Sequence, residues 1–125
     1  MTVVVDTSVL IDYLRGHPGA AEVVESTRTR HTLAASEISR LEVLVGVRPE
    51  EDDRTRSVLS TIGWRALDAE VAERAGELGR TWLPGNKGID AADLAIAATA
   101  ILLDARLLTR NVKHFPMFDG LVAPY

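Results

Sequence analysis

Three acids and an amide in this chain stand where oxygen chemistry is possible. Asp6 directly follows the run TVVV at Thr2 to Val5, and Glu42 falls within SEISRLEVLVGV. Asp93 lies inside GIDAADLAIAATA, and Asn111 follows RLLT by two residues. Asp93 is the most informative of them. Ile89, Ala92, Leu94 to Ala98 and Ala100 leave a helix through this stretch almost no polar face, so the helix must be covered on most sides. A carboxylate there must be protonated, paired or bound to a cation, because an unpaired buried charge costs several kcal/mol or more. No Lys or Arg occurs between Gly88 and Arg106 to neutralise it locally. Asp90 reads as the N-cap of that helix, but capping alone does not account for so apolar a setting around Asp93. Carboxylate oxygens of this kind suit Mg²⁺ or Mn²⁺, which need few protein ligands and keep several waters. Such an ion activates water and stabilises charge on a phosphoryl group being displaced, in one- or two-ion arrangements. Thiol catalysis, disulfides and zinc–thiolate sites are excluded by the absence of cysteine. No Ser–His–acid set is legible, and neither GxGxxG nor GxxxxGKS occurs. His114 has no second His or acid at ligand spacing and is expected at the surface or the core edge.

The elements that must carry these residues can be read from pattern. Thr2–Val5 is a short strand buried on both faces, since it is β-branched without alternation. Asp6 then opens a helix with Val9, Leu10, Tyr13 and Leu14 at helical spacing, ended by Gly16. Pro18 opens a second helix running to about Thr29. A strand is expected at residues 31–35. Ser36 then caps a helix whose apolar stripe is Ile38, Leu41 and Val45, with Glu42 at its border. From Pro49 a charged helix places Val58, Leu59 and Ile62 inward and Arg54 and Arg56 outward, and the acid run Glu50 to Asp53 reads as solvated surface. Residues 64–67 form a short strand, Asp68–Trp82 a helix, Pro84–Gly88 a loop of breakers and Arg106–Thr109 a strand, with a last short strand at Leu121 and Val122. Asn111 sits just beyond a strand, as Asp6 does, although locally an Asn there equally makes a turn or caps a short helix. Strands alternating with helices predict an α/β fold with a mostly parallel sheet covered on both faces, and sites in such folds form at the carboxyl ends of the strands.

The 125 residues, 46% hydrophobic, suffice for one domain over residues 1–125 with a substantial core. No membrane-length apolar run and no basic-then-apolar leader occurs, so a cytoplasmic protein is expected. A net charge of −4 argues against binding nucleic acid through overall positive charge. It leaves room for an acidic, metal-binding cleft with local arginines, and every cation except Lys87 and Lys113 is Arg.

Four segments, VVVDTSVLIDYLRG, ISRLEVLVG, DLAIAATA and LLTRNVKHF, in this order and at these separations, resemble the PIN-domain ribonucleases and, more narrowly, the VapC-type toxins of bacterial toxin–antitoxin modules. The resemblance spans nearly the whole chain. It implies a three-layer α/β/α fold and a Mg²⁺- or Mn²⁺-dependent endoribonuclease, with one ion or two. By position, Asp6, Glu42 and Asp93 would be the metal-binding catalytic acids, and Asn111 would fill the fourth site position, where many relatives carry Asp. Asp90 would be an accessory acid, with Thr7, Ser8 and Thr109 orienting the carboxylates. Arg15, Arg110 and Lys113, close in sequence to these positions, would contact RNA phosphates. The same resemblance implies a homodimer inhibited by a small VapB-like antitoxin. Two rivals are a non-catalytic PIN-like module that uses its acids only to dock a basic partner, and a receiver-like signalling domain. The latter needs a phosphoacceptor Asp after a middle strand, where residues 64–68 offer only Asp68, and a later Lys, for which Lys113 is poorly placed.

Overall fold

The computed structural model describes residues 1–125. In chain order it contains β1 (Thr2–Val5), α1 (Thr7–Leu14), α2 (Pro18–Arg30), β2 (Thr32–Ser36), α3 (Glu37–Val45), α4 (Asp52–Leu59), β3 (Gly63–Arg65), α5 (Ala69–Trp82), α6 (Ala91–Leu102) and β4 (Arg106–Leu108). Single 3₁₀ turns lie at Pro49–Glu51 and Val112–His114. The strands form one sheet in the order β3-β2-β1-β4, and every pairing is parallel, with Val4 opposite both Ala34 and Leu107. β1, the strand that lacks alternation, is interior to the sheet.

Successive side chains of β1 and β2 feed two cores. Val3, Val5, Leu33 and Ala35 point into a cluster with Val9 and Leu10 of α1, Val24 of α2, Val43 of α3 and Leu59 of α4. Val4, Ala34 and Leu107 point the other way, onto Ile96, Ala97 and Ala100 of α6 and onto Phe115. α5 packs on the outside of α6. The result is a three-layer α/β/α sandwich, as the alternation of elements implied. No helix is long and apolar enough to cross a membrane.

The punctuation of the elements is local chemistry. Gly16 ends α1 at φ 80°, a left-handed conformation that costs glycine nothing. His17 accepts from Gly19 N–H and Ala20 N–H ahead of Pro18, Ser36 accepts from Ile38 N–H, and Asp68 accepts from Val71 N–H. β4 follows α6 almost at once because Asp104, at φ 50°, lets Ala105 N–H reach back 2.8 Å to Ala100 O.

Two expectations are corrected here. The buried stripe of α3 is Ser39 and Val43, and Ile38 packs half-buried against the other core as expected, but Leu41 and Val45 face outward at 56% and 80% exposure. Both stripes have helical spacing, and contact decides between them: Val43 enters the core under β1 and β2, while Ser39 meets Thr7 of α1. No strand forms at Leu121 and Val122. Gly120 turns at φ 68°, Pro124 has no N–H for a ladder, and the tail instead lays Tyr125 against α2.

Candidate functional site

Asp6 is where β1 becomes α1. Its N–H extends the β1–β4 ladder to Leu108 O at 2.8 Å, while its C=O accepts the first turn of α1. Although it occupies the N-cap position, its carboxylate caps nothing. Instead Asp6 Oδ2 accepts from Ser8 Oγ at 2.6 Å and from Thr109 Oγ1 at 2.7 Å. Those hydroxyls in turn accept Arg110 N–H at 3.2 Å and Asn111 N–H at 2.9 Å. The segment after β4 is thereby fastened onto the first turn of α1. Asp6 itself is only 3% exposed, so these donors satisfy an oxygen that the fold covers.

Glu42 projects from α3 toward the same end of the sheet. Thr7 Oγ1 lies 2.7 Å from Glu42 Oε1 and 2.8 Å from Ser39 Oγ. Thr7 has one proton and the carboxylate can only accept, so Thr7 donates to Glu42 and takes the Ser39 proton. Ser39, a hydroxyl one turn before Glu42 on the same helix face, supports that acid through Thr7.

Asp93 meets two demands. It closes a reciprocal capping box at the start of α6: Asp90 Oδ1 accepts Asp93 N–H at 2.8 Å, and Asp93 Oδ2 accepts Asp90 N–H at 3.1 Å. Asp93 therefore does take part in capping, although capping alone does not account for its apolar setting. The side chain is also buried, at 8% exposure for the residue, and His114 Nδ1 stands 3.1 Å from the same Oδ2. Burial pushes the Asp93 carboxyl up to about 6, with the Asp90 charge adding to the rise; the Asp90 N–H and His114 act against it. The side chain that meets Asp93 is thus His114, a cation only when its ring is protonated. An acid lacking a local cation needs one from elsewhere, and His114 lies three residues beyond Asn111. Phe115, 1% exposed in the core, anchors that segment.

The residues singled out from sequence therefore fall into three hydrogen-bonded groups: Asp6 with Ser8 and Thr109, Glu42 with Thr7, and Asp93 with Asp90. The first two are joined through consecutive residues of α1, and the helices of the last two, α3 and α6, pack together. No three Asp, Glu or His side chains stand within ligand reach of one point. The donor chemistry nevertheless fits a hard cation. Asp6 Oδ1, Glu42 Oε2 and Asp93 Oδ1 receive no protein hydrogen bond, and none is a buried orphan. Each acid thus has one oxygen committed to the protein and one available, and Mg²⁺ needs only one or two such carboxylates.

The Asn111 side chain is exposed and makes no capping bond to the 3₁₀ turn that follows it. Lys113 and Arg15 are exposed. Arg15, with Glu42, lines a hollow of about 190 Å³ between α1, α3 and α4 that also takes in Ile11, Leu14, Val47 and Glu51. Arg110 is not free: its guanidinium lies over the Tyr125 ring at 4.5 Å and 3.7 Å from Asp12 Oδ2.

Residues 3–119 match the PIN domain. The chain is 43% identical to Ribonuclease VapC19 of Mycobacterium tuberculosis over 97% of its own length and 98% of that protein's. It is 36% identical to Ribonuclease VapC10 of the same organism over 98% and 92% of the two lengths. Among solved structures it resembles a toxin–antitoxin complex from Klebsiella pneumoniae, with a TM-score of 0.85, 33% identity and 98% coverage of both chains. With the parallel sandwich and the acids at one end of its sheet, these matches mean that the chain belongs to the PIN-domain family, in its VapC-type branch.

Proposed function

We propose that this chain, as one domain over residues 1–125, is a metal-dependent endoribonuclease that hydrolyses RNA phosphodiester bonds as the toxin of a toxin–antitoxin module. The observation that carries the reading is the set of carboxylates Asp6, Glu42 and Asp93, each with one oxygen fixed by the protein and the other available. The relatives named as ribonucleases support the activity, and the toxin–antitoxin complex among the similar structures supports the module. Asp6, Glu42 and Asp93 would hold Mg²⁺, with Mn²⁺ as substitute, and Asn111 would complete the site. When bound, the ion supplies Lewis-acid stabilisation of phosphoryl charge and a more acidic water.

The protein's own residues do the rest. Ser8 and Thr109 orient the Asp6 carboxylate, and Thr7 does the same for Glu42. Asp90 fixes Asp93 through its N–H, and the His114 ring presses on the same oxygen. Lys113, Arg15 and Arg110 lie along the chain from these acids and would meet the phosphates of a strand entering the site.

A VapB-like antitoxin fits the hollow beside Glu42, where the apolar walls of Ile11, Leu14 and Val47 lead to acidic Glu42 and Glu51. A segment with apolar anchors and a basic side chain would satisfy both. A second copy of the chain is the expected partner for the uncovered Leu41 and Val45 of α3.

The test is incubation of purified, antitoxin-free protein with total RNA in Mg²⁺, in chelator, and as Asp93→Asn. Discrete fragments that need both the ion and Asp93 are expected. Equal cleavage by Asp93→Asn would remove Asp93 from the site, and intact RNA throughout would favour a binding module without turnover.

A further inference from the structure

Arg110 is the one cation tied to the acids through its own backbone and, at the same time, held by its side chain. Its N–H donates to Ser8 Oγ, whose hydroxyl donates to Asp6. Its guanidinium lies 4.5 Å over the Tyr125 ring, with Nη1 3.7 Å from Asp12 Oδ2. Tyr125 is itself held firmly. Its hydroxyl donates to the same Asp12 Oδ2 at 2.7 Å, and its ring tilts against His17 at 4.9 Å. The ring also fills the space above Gly19, where a Cβ would come within 2.9 Å of the Tyr125 side chain, so the glycine acts as a seat for it. Burial first, and then Asp12, push the Tyr125 hydroxyl up to about 12, so it stays a donor across the working range of pH.

Resting on the nuclease reading above, we infer that Tyr125, with Asp12, is a positioning residue that holds the Arg110 guanidinium ready for an RNA phosphate beside Asp6. Stacking uses the face of the guanidinium and leaves its N–H edge available, and the Arg110 side chain is still 39% exposed. An arginine loose on the surface must lose rotamer freedom when it takes a phosphate. One already stacked has lost most of that freedom beforehand. Because Asp12 approaches at 3.7 Å, beyond hydrogen-bond length, it steadies the guanidinium without consuming its donors. The effect belongs to substrate binding, not to the hydrolytic step.

The experiment measures kcat and KM for a short single-stranded RNA with the wild type, Tyr125→Ala, Tyr125→Phe, Arg110→Ala and the Tyr125→Ala/Arg110→Ala double variant. Thermal melts are run in parallel. Tyr125→Ala should raise KM by about fivefold with kcat nearly unchanged, and Tyr125→Phe, which keeps the stack, should fall between it and the wild type. Once Arg110 is absent, removing Tyr125 should cost no further KM. Losses that multiply in the double variant, or a fall in kcat at constant KM, would overturn the clasp while the nuclease reading stands. If Tyr125→Ala does not fold, Tyr125→Phe and Asp12→Asn carry the same comparison: raised KM with Arg110 present and none without it. A wild type that leaves RNA intact would overturn the nuclease reading and this role together.

Discussion

Asp93 is asked to cap a helix and to be a charge in an apolar helix, and the second demand has a thermodynamic signature. Its carboxyl sits at about 6 in the folded protein, above its value in the unfolded chain, with Asp90 and His114 the titratable groups facing it. Between these two values the native state holds the extra proton, so stability falls as pH rises through about 6 and the loss is complete above it. Asp93→Asn keeps an oxygen for the Asp90 N–H and removes the charge. The variant should be more stable than the wild type at pH 8, by on the order of 2 kcal/mol, with the difference vanishing toward pH 4. Denaturant melts at the two pH values check this. Mg²⁺ or Mn²⁺ should raise the wild-type Tm at pH 8 and leave the variant's unchanged, and chelator should reverse the rise. Thr109→Val tests the Asp6 network: it strips one of the two hydroxyls on Oδ2. It should cost about 1–3 kcal/mol of stability and lower cleavage further than that loss explains.

Helices and strands carried most of what could be read in advance, because their signals are local. The all-β-branched run marked β1, Gly16 and Pro18 bounded α1 and α2, and Ser36, Asp68 and Asp90 announced α3, α5 and α6. What escaped was decided at a distance. Which stripe of α3 faces inward depends on Thr7, thirty-two positions away, and His114 reaches Asp93 only because Phe115 is seated in the core. Phe115→Ala should therefore lower stability by about 3–5 kcal/mol and release His114 from Asp93, visible as altered His114 imidazole chemical shifts by NMR. α5 offers the converse case. Gly76 lies in the helix interior, and an added Cβ there meets nothing. Gly76→Ala should stabilise the fold by about 0.5–1 kcal/mol, read as a higher denaturation midpoint at constant m. Gly79 is not equivalent, since a Cβ there comes within 3.1 Å of Leu94 where α5 and α6 meet.

For the molecule as a whole, a net charge of −4 sets the terms on which a polyanion approaches. Attraction has to come from a few local cations, so Lys113→Ala should weaken RNA binding about equally for all sequences and flatten its dependence on log salt by about one unit. Leu41 and Val45 are uncovered on α3. If they meet a second copy, Val45→Asp should shift sedimentation toward the monomer without altering the circular dichroism of the fold. The candidate site was legible as a set of residue types at strand ends and helix starts. It was not legible as three separate hydrogen-bonded groups, because which hydroxyl meets which acid is set by packing between elements far apart in the chain. The sheet order has one more consequence. β1 is the first strand made, yet its outer neighbour is β4, and Asp6 depends on Thr109, 103 residues later. On a ribosome, a nascent chain that has already released Asp6, Glu42 and Asp93 still lacks the hydroxyl and the strand that complete the cluster. A toxin wired in this way would stay silent throughout its own synthesis, and a fragment released by a stop before Arg106 would be harmless to the cell that made it.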